Sequence, residues 1–417
     1  MNRGVVYRLV ALGFAAMFVS TAIKSVYQVY FVEIAGHFGR GRADFAFAGA
    51  LFMLATGLMS PVVGRLSDRL GPLRTVALGA LAAGAALLCV ALGSTSLAVF
   101  VLAYGVGAAF GLAAMTYVPM GVLVDRLFDS RRKGLAYAVV TNGTAIGFIV
   151  LSPLWIVLQP QFAWTTTFLV TGLLFAGPVA LLAWLAARSA DAAGLGGRAP
   201  SPQPGQGVWA QVRKDPVFFV LALGFFGCGA TMAFIDVHLV AFWQDAGISR
   251  ARMGLSLSLL GVLELVSGLA TGWLAMRFGK HGLLALFYLL RSAAMLMLLG
   301  TGVAGMESLG FAAVFGASYL GTVVLTSMYC FERFGAAVKG QVFGMLFLVH
   351  QLGAFASVQF GAMAYDAFGS YRPVVLALSA LTVAAAVLSW VGLRGAGSPA
   401  PRGARPAPAA GNVAVGE

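Results

Sequence analysis

The chain has 417 residues, 60% of them hydrophobic and only 10% charged, with a formal net charge of +13. Soluble domains carry roughly 25% charged residues, so a water-soluble globular surface is excluded. The basic balance excludes nothing until each Lys and Arg is placed, because nucleic-acid binding and membrane topology both produce it.

Apolar runs long enough to cross a hydrocarbon core of roughly 30 Å are predicted near residues 9–35, 43–63, 75–93, 96–122, 135–157, 164–187, 217–243, 253–275, 282–303, 308–330, 341–365 and 373–393. With the N-terminus inside, loops on its side collect twenty of the 27 Lys and Arg residues. Five others, Arg40, Arg42, Arg250, Arg252 and Arg372, lie opposite, and Lys24 and Arg291 fall within spans. This asymmetry obeys the positive-inside rule and predicts an all-α membrane protein of twelve transmembrane helices with both termini cytoplasmic. The basic charge then records topology, and no nucleic-acid partner is expected. No cleavage site follows the short N-terminal stretch before Lys24, so the first span is expected to be retained.

Lys24 in the first span is sixteen residues from both Arg8 and Arg40, about 24 Å from either polar end at 1.5 Å per residue. That is too deep to snorkel, and an ionised group there needs a partner or a task. Its task is read as a cationic anchor for an anionic substrate, with a structural ion pair as the plain alternative. Tyr27 and Tyr30, on the following turn, are expected to shape a cavity around it. Between the second and third spans stands Gly64-Arg-Leu-Ser-Asp68-Arg69-Leu-Gly71-Pro-Leu-Arg74. Gly64 would allow close helix approach, and Asp68 with Arg69 and Arg74 would make charge-assisted contacts across a gap between helices. Asn142, in the fifth span, is a polar candidate for the substrate site.

Residues 188–215, with RAPSPQPGQG at their centre, read as a flexible cytoplasmic linker between an N-terminal six-helix bundle (1–187) and a C-terminal one (216–394); residues 395–417 read as a disordered tail. Asp236 and His238 are expected toward the outer, wetter end of the seventh span. Glu264, at mid-depth in the eighth, is the candidate for proton coupling, or else a static partner of Arg291 in the ninth; Arg291 could also point inward toward substrate. Asp236 and His350 are further proton-coupling candidates. Cys89, Cys228 and Cys330 sit in apolar runs without metal-ligand spacing and read as packing residues.

The halves repeat at a shift of 206 to 208 residues. Gly39 and Arg42 match Gly247 and Arg250; the Gly64 to Gly71 segment matches Gly272-Trp-Leu-Ala-Met-Arg277-Phe-Gly279; and Lys133-Gly134 with Gly147 matches Lys339-Gly340 with Gly353. Six spans per half give parallel repeats, with a substrate site expected where the halves meet.

The Gly64 to Arg74 loop resembles the signature of the major facilitator superfamily, which implies a conformational latch and a rocking transporter. Three longer stretches, from Ala22 to Ile34, from Arg131 to Gly147 and from Val237 to Ser249, are similar to the monocarboxylate-transporter branch and its oxalate/formate antiporter-like bacterial relatives. Glu264 matches that branch's acid on the eighth helix, but Gly268 stands where its arginine is expected. The resemblance implies alternating-access transport of a small organic anion, a monocarboxylate, with a proton or counter-anion as partner, in a bacterial inner membrane. An exporter of amphipathic compounds and a non-transporting nutrient sensor are the alternatives. Neither a metal-binding HExxH nor a nucleophile elbow occurs, so no enzyme and no cofactor are expected.

Overall fold

A computed structural model describes residues 3–39, 41–128, 130–192, 212–300 and 306–394. Twelve helices are long and apolar enough to span a bilayer: α1 Gly4–His37, α2 Arg42–Leu70, α3 Pro72–Leu92, α4 Leu97–Leu127, α5 Leu135–Leu158, α6 Trp164–Ala192, α7 Pro216–Asp245, α8 Arg250–Arg277, α9 Lys280–Leu298, α10 Glu307–Phe334, α11 Gln341–Phe368 and α12 Arg372–Gly392. Helices satisfy every backbone polar group internally, which is what hydrocarbon demands. The expected linker begins later than the sequence implied. α6 continues through Ala192, because Arg74 of α3 reaches Asp191 at 2.5 Å and holds the last turn. The rest of the linker centre, 193–211, and the tail lie outside the described residues.

The repeat is visible in backbone geometry. Gly39 and Gly247, the first matched pair, both take positive φ (60° and 73°) at the turns leading into α2 and α8, a conformation that costs other residues steric strain. In the second matched pair only Gly71 needs glycine, at φ 90°; Gly279 sits at an ordinary φ of −58°. In the third, Gly147 of α5 lies against the backbone of α1 at Phe18, and Gly353 of α11 lies against the backbone of α7 at Phe226. Phe18 and Phe226 are themselves one repeat apart.

A Cβ on Gly147 would meet Phe18 O and Thr21 Oγ1 at 2.6 Å. Gly147→Val is therefore expected to separate α5 from α1 and cost about 1–3 kcal/mol of overpacking. The measurement is the melting midpoint in detergent, with Gly177→Ala as control, since a Cβ on Gly177 meets nothing within 4 Å.

The halves meet through α1 on α7, α2 on α11 and α5 on α8. On the face where the α1–α2, α7–α8 and α11–α12 turns lie, cross-half bonds are dense. Gln28 donates to Ile235 O at 2.8 Å, Gln359 to Ala43 O at 3.2 Å, Gln351 to Met53 O at 2.6 Å and Ser258 to Ile149 O at 3.1 Å. On the other face, which carries the linker, the side-chain contacts stay within a half: Arg74 with Asp191, Arg333 with Asp215, Lys280 with Glu332. Among the described residues, the halves are joined at one face and part toward the linker face.

Candidate substrate site

At the level where the halves begin to part, Lys24 of α1 pairs with Asp236 of α7. Lys24 stays 33% exposed and Asp236 11% exposed, so water reaches mid-membrane at this point. Asp236 spends its other oxygen on Tyr319 of α10, whose hydroxyl donates at 3.3 Å. Two further groups complete the ring. Tyr117, at the break in α4, is 49% exposed, and Glu264 of α8 is half-buried within electrostatic reach of Lys24, Asp236, Tyr117 and Tyr319. The Glu264 carboxylate has no hydrogen-bond or ion-pair partner among the described residues. One cation from the N-terminal half thus faces two acids from the C-terminal half across a wet gap.

Several sequence expectations change. Asp236 is not a water-exposed group at the end of α7; it is the partner of Lys24. His238 is wholly buried, its Nε2–H donating to Val358 O at 2.9 Å between the rings of Phe31, Phe234 and Tyr371. Tyr27 and Tyr30 turn away from the gap into the N-terminal bundle. Tyr27 stacks on Tyr104 at 4.6 Å and donates to Phe45 O, while Tyr30 meets Phe162 O and Thr167. Asn142 is half-buried on α5, two residues from Thr144, whose hydroxyl donates to Thr141 O at 2.8 Å.

Arg291 does not pair with Glu264. It is fully buried inside the C-terminal bundle, donating to Ser318 O and Tyr319 O at 2.9 and 2.8 Å, to Thr231 and Thr322 hydroxyls, and to Cys228 Sγ at 3.1 Å. With Cys228 O at 3.4 Å, six acceptors without a carboxylate hold a charge that would otherwise be costly at that depth. His350 lies in the same bundle, stacked on Phe347 and bonded to Gln351 at 2.9 Å, apart from Glu264. Asp236 lies one repeat after Gln28, whose amide donates to Ile235 O across the same interface.

In the signature loop, Gly64 makes only ordinary contact: a Cβ there would meet Val118 at 3.7 Å, and one on Gly272 would meet nothing within 4 Å. Asp68 is half-buried and Arg69 exposed, and neither makes an ion pair among the described residues. Arg277 lies over the Trp273 ring at 4.8 Å. Asp68 and Arg69 sit unpaired among the described residues on the parted face, whereas Arg74 is held by Asp191 within its own half.

A family profile described as the Major Facilitator Superfamily matches residues 12–358. The chain belongs to the Major Facilitator Superfamily. It is 27% identical over 378 residues to an uncharacterized MFS-type transporter, YcxA, of Bacillus subtilis, covering 89% of this chain and 91% of that one. It is 27% identical over 301 residues to monocarboxylate transporter 12 of Rattus norvegicus (65% and 60% covered) and 24% identical over 404 residues to the Homo sapiens protein of that name (89% and 77% covered). The fold is similar to that of a bacterial homolog of the human lysosomal transporter Spinster in its inward-facing, unoccupied conformation, with a TM-score of 0.74, 15% identity and coverage of 94% and 98%. This facilitator is therefore a multi-pass membrane transporter and not an enzyme.

The joined face of this facilitator is tied by a cluster of cross-half bonds. Asp366 of α11 accepts the amides of Arg42 and Ala43 at 2.8 and 2.7 Å, capping α2 from the opposite half. The Arg42 guanidinium makes a two-pronged pair with Asp245 of α7 at 2.6 and 2.8 Å, bonds the Tyr371 hydroxyl at 2.9 Å and lies 3.6 Å from the Tyr365 ring centre. Burial pushes the Tyr371 phenol above its ordinary range, so it meets Arg42 as a neutral acceptor. A separate recess of about 490 Å³, lined by Glu33, Gln159, Gln244 and Arg250, lies on this face, nine residues along α1 from Lys24.

Proposed function

We propose that this facilitator carries a small organic carboxylate by alternating access, with Lys24 as the group that holds the carboxylate. The observation behind this reading is the water-accessible Lys24–Asp236 pair, a cation at mid-depth held by an acid that a substrate carboxylate can displace. Ion pairs of this depth are stable only when matched, so the incoming anion takes the place of Asp236 and leaves that acid free to accept a proton. Glu264, already without a partner, is a second proton acceptor in the same gap. Such a cycle moves a carboxylate together with protons; an exchanger would instead bring a second anion back. Resemblance to monocarboxylate transporters 12 and 13 supports the substrate class. With both termini cytoplasmic in a bacterial plasma membrane, as the Lys and Arg asymmetry favours, the parted face opens to the cytoplasm. Asp68 and Arg69 would then engage when that face closes.

The test is uptake of labelled L-lactate, pyruvate and formate into proteoliposomes, with and without an inward proton gradient. Proton-stimulated uptake that Lys24→Ala abolishes supports the reading. Carboxylate binding without any flux would replace it by a sensor, and extrusion of amphipathic dyes without carboxylate binding by an exporter.

A further inference from the structure

We infer that the preferred substrate is a zwitterion, a carboxylate bearing its own ammonium group, and that Glu264 is the residue selecting for it. This rests on the carboxylate reading above and narrows it.

The argument is one of local charge. The exposed ring at the parting of the halves holds one cation, Lys24, and two acids, Asp236 and Glu264. Its remaining polar members, Tyr117 and Tyr319, are hydroxyls that bring no positive charge. Before substrate arrives, Asp236 satisfies Lys24 and Glu264 stands alone. A plain carboxylate that takes Lys24 leaves Asp236 and Glu264 facing the same wet gap, where like charges repel, so each acid must be neutralised by a proton. A zwitterion answers them without that proton uptake: its carboxylate takes Lys24, and its ammonium settles between Asp236 and Glu264.

Arg291 cannot serve instead. It is fully buried behind Tyr319, its donors are directed at carbonyls, hydroxyls and a thiol, and it pairs with neither acid. His350 is packed among Phe225, Phe347 and Gln351. Among the described residues, the cation missing from the ring is therefore one the substrate brings. The arrangement also places the recognition groups on opposite halves, Lys24 on α1 and the acids on α7 and α8, so a zwitterion spans the gap that closure must bridge.

The test uses matched pairs that differ only in ammonium against hydroxyl: L-alanine with L-lactate, and L-phenylalanine with L-phenyllactate. Dissociation constants are measured on the purified full-length protein at pH 7.5, and uptake in proteoliposomes. The amino acid is expected to bind at least about tenfold more tightly than its hydroxy acid in one or both pairs, as for sites whose polar groups go unanswered by the wrong analogue. Glu264→Gln is expected to collapse that ratio to within about threefold, chiefly by weakening the amino acid, while Glu264→Asp retains it. Melting midpoints of both variants report folding, and the wild-type comparison stands without them. Hydroxy acids that bind as well as or better than their amino acids overturn the zwitterion and leave the carboxylate reading intact. A preference that survives Glu264→Gln in a folded protein overturns the role of Glu264. Binding of none of the four overturns the carboxylate reading itself.

Discussion

Lys24→Ala is expected to reduce carboxylate transport, measured as kcat/KM in proteoliposomes, by at least about 100-fold, equivalent to about 2.7 kcal/mol of lost binding. Lys24 is the one cation among the described residues exposed to the gap between the halves at mid-depth, so nothing nearby replaces it. The same substitution strands Asp236. Breaking an ion pair from one side costs more than deleting both partners, and here the cost is about 1–3 kcal/mol, discounted because water reaches a third of Lys24. Lys24→Ala/Asp236→Ala should therefore melt higher than Lys24→Ala alone while remaining inactive. That separation divides the binding role of Lys24 from its structural one: a double variant that recovered transport would remove Lys24 from the substrate site.

Arg42→Ala is expected to open the joined face. It deletes the paired bonds to Asp245, the bond to Tyr371 and the ring contact with Tyr365 in one step. Charge-assisted bonds each contribute about 1.5–3 kcal/mol, and a loss on the order of 2 kcal/mol moves a two-state equilibrium about thirtyfold. Spin labels at Thr95 and Phe368, in a Cys89→Ser background, lie on the two halves at this face. Their distance distribution should gain a longer population in Arg42→Ala. Asp366→Asn should give a smaller gain, since it keeps an acceptor for the α2 amides. An unchanged distribution in Arg42→Ala would mean that helix packing alone holds the face shut.

The fold was readable because its rules are one-dimensional. Span length follows from bilayer thickness, and the placement of arginines relative to spans counts helices. The duplication left matched glycines at Gly39 and Gly247, whose shared backbone conformation the structure displays. The site was half readable. Lys24 and Glu264 were singled out because charge at mid-depth is costly, which is a property of the sequence position. Their partners depend on helix rotation, which hydropathy does not encode. A rotation of one residue, 100°, separates the gap-facing Asp236 from the buried Val237 beside it. The same indeterminacy misplaced Tyr27 and Tyr30, whose spacing from Lys24 suited a cavity wall but whose rings belong to the stack around Tyr104. Arg42 stood out only as a span-end charge and a repeat match, and Asp245 and Asp366 not at all, because charges at span ends are expected to be solvated; only the packing of α2 on α11 and α7 joins them.

The sealed Arg291 has an electrical consequence. It supplies a second positive charge at mid-depth, so with both acids ionised Lys24 and Arg291 balance Asp236 and Glu264 there, even though the exposed ring alone does not balance. The membrane potential does work of about 2.3 kcal/mol per net charge moved through 100 mV. A carrier whose fixed charges cancel gives that field little to act on when it reorients empty. Current recorded from oriented membranes should accordingly track the charge of the solute and of any protons moving with it. Arg291→Gln, leaving the fixed charges one short, should make the empty return step voltage-dependent.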